Sequence, residues 1–497
     1  MSCGQLIHDL AHIRVSNDPQ PENGLLKSPL LSSSQPPSHQ NLLQAGISVR
    51  ISAQLKFRIL ITTFKESFMR LATFILSPIA AVLLASCGGR EEANNNTDID
   101  PALVYTPYIA SVERDPEPVV SDADLTELVD GNNRFAIKAF QKLLEENADS
   151  SVFSPYSVST ALAMTYAGAD GQTKAEMAAA LEFTLDDEAL HPGFNKLAAE
   201  LDKRNLPKDQ WANAQELLVN NAIWPYIGTS PAEPFLNTLA RHYGSGIYGL
   251  DYAKEPELSR ETINKQVEEW TKGYIPDLLQ PGTVESSTKL VLTSAIYLHA
   301  PWEMTFAEYS TKPQPFYNLD GTEKEVPTMA GTIWVALKEL DGALLAAVPF
   351  RDAQLLMGFL MPDEDFLSYV ANLDAATLRE ALEQTTYKTG VFTMPKFQIE
   401  TRSSMAGMLR DFGMIQAFSS AADFSPMGIG SVYLSTVLHK AFIDVNEAGT
   451  TAAAATAAII PQPSIPPRLA DINKPFVFFI YDNETKAILF MGHVANL

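Results

Sequence analysis

Two short strings have the residue types and spacing for acyl-transfer chemistry. Ser286-Ser287-Thr288-Lys289 has the Ser-x-x-Lys spacing that sets a lysine beside a nucleophilic hydroxyl, and Lys388-Thr389-Gly390 is a Lys-Thr-Gly triplet of the kind that flanks such a nucleophile. The Ser-x-Asn element that should lie between them is missing, and Ser286 runs into an apolar stretch, Leu290-Val291-Leu292, where a helix start is needed. Gly-x-Ser-x-Gly, His-Glu-x-x-His and phosphate-loop patterns are absent. The 8 histidines are scattered without metal-ligand spacing. The 2 cysteines, Cys3 and Cys87, both lie in the first fifth of the chain. The rest of the chain therefore offers no disulfide framework, Cys-based zinc site or cysteine nucleophile, and no metal or cofactor is expected.

A second segment is unusual for what it lacks. From Ala448 to Pro467 there is no charge, and from Glu447 to Ala458 no side chain larger than Thr apart from Glu447 itself: Glu447-Ala448-Gly449-Thr450-Thr451-Ala452-Ala453-Ala454-Ala455-Thr456-Ala457-Ala458-Ile459-Ile460, then Pro461-Gln462-Pro463-Ser464-Ile465-Pro466-Pro467. Alanine favours helix, yet strand-rich stretches flank the run, and a linker would carry polar groups for solvation. The composition suits a loop poised to become a buried strand. Gly449 is the hinge, and Thr450, Ala452, Ala454, Thr456, Ala458 and Ile460 share one inward face. Prolines bar central-strand pairing from Pro461 onward, so the insertable run is 450–460, about 35 Å at roughly 3.3 Å per residue.

The elements that must hold this loop follow from periodicity. Helices are predicted at 124–147, after a cap at Ser157, after a capping box Thr173-Lys174-Ala175-Glu176, and over 259–275. Strands are predicted at 289–298, 332–350 with an Asp341-Gly342 turn, 354–361, 391–401 and 431–446, and a closing hairpin at 476–481 and 487–494. Helices first and strands later, without βαβ alternation, predict a single α+β domain over 123–497, although 497 residues would allow three domains. Apolar residues at 46% supply a core, and a net charge of −23 argues against nucleic-acid partners.

The N-terminal fifth reads as export signal. Met69-Arg70 precedes the apolar or small stretch 71–86, which is too short for a comfortable membrane span and ends in Leu84-Ala85-Ser86-Cys87. This string resembles a bacterial lipobox, with 69–86 as signal peptide and Cys87 as the lipidated first residue. Residues 1–68 are then an over-extended start, and 87–122, rich in Gly, Asn, Asp, Glu and Pro, a flexible linker. The expected location is extracytoplasmic: lipid-anchored to the bacterial cell envelope, or extracellular.

Across 123–497 the chain resembles a serpin, of bacterial lipoprotein form. The resemblance rests on Phe153-Ser154-Pro155-Tyr156-Ser157, on Thr271-Lys272-Gly273-Tyr274-Ile275 with Asp277-Leu278, and on Pro395-Lys396-Phe397. It continues through Gly413-Met414, Ala417-Phe418, Ala422-Asp423-Phe424-Ser425, and Val437-Leu438-His439-Lys440-Ala441-Phe442 with Val445-Asn446-Glu447. Lys474-Pro475-Phe476 and Ile488-Leu489-Phe490-Met491-Gly492 close it.

The resemblance implies helices around three β-sheets with an exposed reactive-centre loop, and a monomeric protease inhibitor, not an enzyme, that traps its target covalently. Its partner would be a serine protease, with cysteine proteases as a further class. Glu447, Gly449, Thr450, Ala452, Ala453, Ala454 and Ala455 would form the hinge. Ser154, Ser157 and His439 match the shutter and Trp302 the breach, with Lys396 paired to Glu447, while Ser150 and Ser294 replace usual asparagines of that network. The reactive bond falls at Pro463–Ser464, or at Ser464–Ile465 when counted from Pro475. With no Lys or Arg beside it, an elastase-like or subtilisin-like target is favoured over a trypsin-like one. The alternatives are a non-inhibitory serpin acting as a binding protein, and a penicillin-binding acyl-enzyme using Ser286 and Lys289.

Overall fold

The computed structural model describes residues 105–209, 213–450 and 466–497, which belong to one compact unit. The expected signal peptide, Cys87 and most of the reactive loop lie outside the described residues. Strand β1 (Thr106–Tyr108) comes first, then helix α1 (Asp122–Glu146), β2 (Ser151–Phe153), α2 (Pro155–Tyr166), α3 (Gly171–Leu181) and α4 (Asp187–Asp202). β3 (Glu216–Pro225), α5 (Glu233–Tyr243), β4 (Ile247–Gly249), α6 (Pro256–Trp270) and β5 (Leu290–Pro301) follow. The second half holds β6 (Lys312–Tyr317), β7 (Glu323–Leu340), β8 (Ala343–Pro349), β9 (Leu355–Pro362), the short helices α7 (Phe366–Ala371) and α8 (Ala375–Glu383), and β10 (Thr386–Pro395). β11 (Phe397–Ser404), α9 (Ala406–Asp411), β12 (Thr436–Asn446), the two-residue β13 (Gly449–Thr450), β14 (Arg468–Asp471), β15 (Phe476–Asp482) and β16 (Ile488–Val494) complete the α+β fold.

The strands form two hydrogen-bonded networks among the described residues. One is a seven-stranded sheet in the order β1-β4-β3-β5-β13-β12-β11, and the other runs β14-β10-β7-β8-β9-β15-β16-β2 with β6 on β7. The resemblance implies three sheets; the 18-residue β7 joins two of them, pairing with β6 through its first third, β10 through its middle and β8 at its end. The main core lies between the seven-stranded sheet and the nine-stranded network with α1, α2 and α4, and takes in Leu290, Leu292, Ile296 and Ala300 of β5. The other face of β5, through Val291 and Ala295, meets a smaller core under α6 with Ile263 and Val267.

Several local expectations shift. Ser154, not Ser157, caps α2, its hydroxyl accepting from the Ser157 N–H at 3.1 Å, with Pro155 at the first turn where no N–H is needed. α3 is capped by Asp170, three residues before Thr173 of the expected capping box. Thr173 and Glu176 instead accept from the backbone of Asp423, Ile415 and Gln416, tying down a distant loop. The strand expected at 391–401 breaks at Lys396, and its halves belong to different networks. Within the linker expected over 87–122, β1 pairs with β4 and the residues after it bond to α4 and α5. Among the described residues no helix is long and apolar enough to cross a membrane.

Candidate functional site

β5, buried along nearly its whole length, and β12 form the middle of the seven-stranded sheet, and their pairing is incomplete. They lie parallel and bonded from Thr436↔Val291 to Lys440↔Ala295, then part. The gap above is filled by β13, antiparallel to both: Thr450 pairs with Val445 and Ala300, Gly449 with Asn446 and Pro301. The chain turns back into its own sheet at Glu447-Ala448. Gly449 permits this with φ of 142°, and any β-carbon there would lie 2.1 Å from the Ala300 carbonyl oxygen. Thr450 is 1% exposed, its Oγ1 accepting from the Ala300 N–H at 3.1 Å and lying 3.4 Å from that residue's carbonyl oxygen.

The upper end of the slot is braced by polar contacts. The Trp302 indole N–H donates to the Asn446 carbonyl at 2.9 Å, and its ring stacks on Phe350 with centroids 4.5 Å apart. Glu447 meets the Lys396 ammonium at 2.8 Å and accepts from the Thr311 hydroxyl at 2.7 Å. Burial raises the Glu447 carboxyl, but Lys396 and Thr311 together outweigh it and leave it below the ordinary value.

Where β5 and β12 still pair, a buried proton chain crosses the sheet. The Ser154 N–H donates to His439 Nε2 at 2.9 Å, which places the imidazole proton on Nδ1, facing the Ser294 carbonyl at 3.3 Å and hydroxyl at 3.4 Å. Ser157 Oγ donates to Asn221 Oδ1 at 3.2 Å, so in the 2.8 Å contact between the two serines Ser294 is the donor. Ser154 Oγ donates to the Leu489 carbonyl at 2.6 Å. Helix α2 is thereby joined to β3, β5, β12 and β16. Burial pushes the His439 imidazole down to about 4, only partly opposed by the Ser294 carbonyl.

Helix α6 and the loop after it straddle the slot. On one side Lys272 pairs with Glu216 of β3 at 2.7 Å and Asn220 donates to the Trp270 carbonyl at 3.3 Å. On the other, Lys440 and Arg402 donate to the carbonyls of Pro276 and Asp277 at 3.2 and 2.8 Å.

Ser154, Ser157, Ser294 and His439 thus come together, as do Trp302, Lys396, Glu447, Gly449 and Thr450. Ser150 does not join them: its hydroxyl donates to the Asn496 carbonyl and accepts from the Ala495 N–H, closing the C-terminal strand. Sequence reasoning missed Asn221 and Thr311; the signal for the first was an Asn220-Asn221 pair inside an otherwise apolar strand. Ala452 through Ala455, Pro463, Ser464 and Ile465 lie outside the described residues. Ser286 is exposed in a turn before β5, opening no helix, while Lys388-Thr389-Gly390 belongs to β10 in the other network. Among the described residues no cluster of His, Cys, Asp or Glu suits a metal ion.

Residues 130–497 match the family model described as Serpin (serine protease inhibitor). A serpin-like protein of Thermococcus kodakarensis is 32% identical over 434 residues, 85% of this chain and 98% of the relative. The leukocyte elastase inhibitor of Bos taurus is 33% identical over 386 residues, 75% of this chain and 100% of the relative. Among solved structures, the thermophilic serpin tengpin in its native state superposes with a TM-score of 0.70 at 26% identity, covering 79% of this chain and 100% of that one. Thyroxine-binding globulin complexed with thyroxine does so at 0.65 and 27%, covering 74% and 99%. Many serpins inhibit serine proteases and some inhibit none; with a family model matching residues 130–497, which hold β5, β12 and β13, this chain belongs to the serpin family.

Proposed function

We propose that this serpin is a suicide inhibitor of serine-type endopeptidases, with the β13 hinge as the start of the inserting strand. The seating of Gly449-Thr450 between β5 and β12 carries the reading. Continued in the same register, residue 460 pairs with Leu290 and residue 459 with Thr436, the first residues of the two strands. Pro461, which cannot extend a central strand, comes next. In that register Ala452, Ala454, Ala458 and Ile460 fall opposite Leu298, Ile296, Leu292 and Leu290 of the main core. Thr456 falls between Ser294 and His439, the one polar level of that face. An inserted strand gains on the order of ten hydrogen bonds at ~1 kcal/mol each, comparable with the stability of an ordinary fold.

In the covalent step the target's serine Oγ attacks the carbonyl carbon of Pro463 or Ser464, the following C–N bond breaks, and the new amine leaves with the serine's proton. The acyl-enzyme ester persists because insertion carries the protease down the slot and distorts it before water attacks. An elastase-like or subtilisin-like target fits a loop whose nearest basic residue is Arg468, and the leukocyte elastase inhibitors among the relatives agree with it. A carrier role is disfavoured by the small, uncharged residues that follow Glu447 in the hinge. A protease panel tests the reading: a complex surviving SDS, with a peptide released from 464 or 465 onward, is expected, and clean loop cleavage by every protease would refute it. We further propose export and lipidation at Cys87, supported by the Leu-Ala-Ser-Cys string and tested by mass spectrometry of the native protein.

A further inference from the structure

The chain that follows the reactive loop is pinned close to β10. The Pro467 carbonyl accepts from the Val391 N–H at 2.8 Å, and a β-carbon on Gly390 would lie 2.4 Å from that same oxygen, so the close approach needs a glycine there. The rings of Pro466 and Pro467 fix φ at two successive residues and stiffen the approach to β14, which then runs parallel to β10 with Asp471 beside Thr393. From either candidate reactive bond to Arg468 the chain advances by no more than five residues, roughly 18 Å when fully extended. A protease domain of about 200 residues has a radius of gyration of roughly 16 Å, so a protease attacking that bond brings its own surface within reach of the face around β14.

That face holds a groove of about 590 Å³ bounded by β6, β7, β10 and β14. Strand register sets its floor: Lys312 pairs with Thr328 of β7, Thr393 with Ala330, and Asp471 with Thr393, so all of these share one side, while Met329, Phe392 and Met394 on the other side belong to the main core. The groove's charges are unevenly matched. Thr393 Oγ1 donates to Asp471 Oδ1 at 2.6 Å and Arg468 Nε to Asp471 Oδ2 at 2.5 Å, so both oxygens of its one carboxylate are taken. Lys312 is exposed and pairs with no carboxylate among the described residues, leaving the groove lining with one surplus positive charge on a chain of net charge −23. Beside it Tyr309, which also lines the groove, is 71% exposed. An open aromatic next to an unpaired ammonium suits a protein surface that offers a carboxylate and an apolar side chain together.

We infer that this groove is a second docking surface for the target protease, taking an acidic surface loop whose carboxylate meets Lys312 and whose apolar side chain covers Tyr309. The inference rests on the inhibitory reading above. Docking here belongs to the encounter, before the reactive bond is attacked, and is broken when insertion carries the protease away. It therefore raises the rate at which the loop is attacked and leaves the partition between trapping and cleavage unchanged.

The test uses the full chain and whichever protease of an elastase and subtilisin panel consumes the loop fastest. The rate read is total loop consumption, trapped plus cleaved, at low and high salt. The double variant Tyr309→Ala, Lys312→Glu changes two exposed side chains, so the melting point should hold. Its rate should fall about tenfold at low salt and depend less steeply on salt than the parent's, with the ratio of trapped to cleaved product unchanged. Lys312→Arg should keep the parent rate. A parent-like or higher rate in the double variant, or a loss that is the same at every salt concentration, overturns the docking surface. Cleavage of the parent loop with no complex surviving SDS refutes inhibition instead, and the double variant's effect on the cleavage rate then still decides the groove.

Discussion

Thr450→Arg is the sharpest perturbation of the insertion mechanism. In the native protein Thr450 is 1% exposed, between Val445 and Ala300, and its side chain faces the main core. An arginine there must either carry its charge into the core, at several kcal/mol after relaxation, or pull β13 out of the slot. Leaving the slot forfeits the Thr450 contacts to Ala300, on the order of 1–2 kcal/mol, so the hinge is expelled at the smaller cost. On the proposed mechanism the charge must still be buried later, when the cut loop inserts. Insertion competes with deacylation, and each 1.36 kcal/mol added to its barrier costs about tenfold in rate, so a penalty of about 3 kcal/mol shifts the partition on the order of a hundredfold. Titrating a responsive protease with the variant should raise the ratio of cleaved to trapped inhibitor on the order of a hundredfold over the parent, with the loop cut at the same bond. Trapping at the parent's stoichiometry would refute entry of residue 450 into the sheet as a requirement for inhibition.

Three further outcomes follow from the same geometry. Gly449→Ala sets a β-carbon against the Ala300 oxygen at a positive φ, and should lower native stability by at least about 1 kcal/mol in urea unfolding and expose the hinge to non-specific proteases. Thr456→Val should leave the native melting point unchanged but lower that of the loop-cleaved form, equivalent to about 1–3 kcal/mol, because the Ser294 and His439 groups would meet a methyl. The His439 imidazole sits at about 4 when folded against 6.5 ordinarily, so its contribution is fully present above pH 6.5 and is lost progressively as the pH falls toward 4. The cost reaches about 3 kcal/mol at the low end. Melting points measured from pH 7 to 4 should therefore fall, and His439→Gln should flatten part of that fall.

How much was legible from residues alone differs by element. β15 and β16 carry apolar runs long enough to declare themselves, β5 and β12 carry shorter ones broken by Thr293-Ser294 and His439-Lys440, and α1 has a clear helical period. β3 was hidden because Asn220-Asn221 interrupts its apolar pattern, and α4 because Pro192 lies within it. β1 spans three residues, too few for any period, and its Pro107 and the polar residues after it read as linker. Strand addition at a sheet edge depends on the partner strand, which local composition does not reveal.

The sequence by itself determined the family and the small, uncharged composition of the segment after Glu447, because those follow from residue size, charge and order along the chain. Only the tertiary structure decided that Gly449-Thr450 sit between β5 and β12, that the imidazole proton of His439 lies on Nδ1, that Asn221 completes the chain of hydroxyls, and that Ser150 stands apart. Each of these is a matter of which groups from distant segments share a few ångströms of buried space, and burial is what turns an ordinary serine, histidine or glycine into one with a single permitted arrangement.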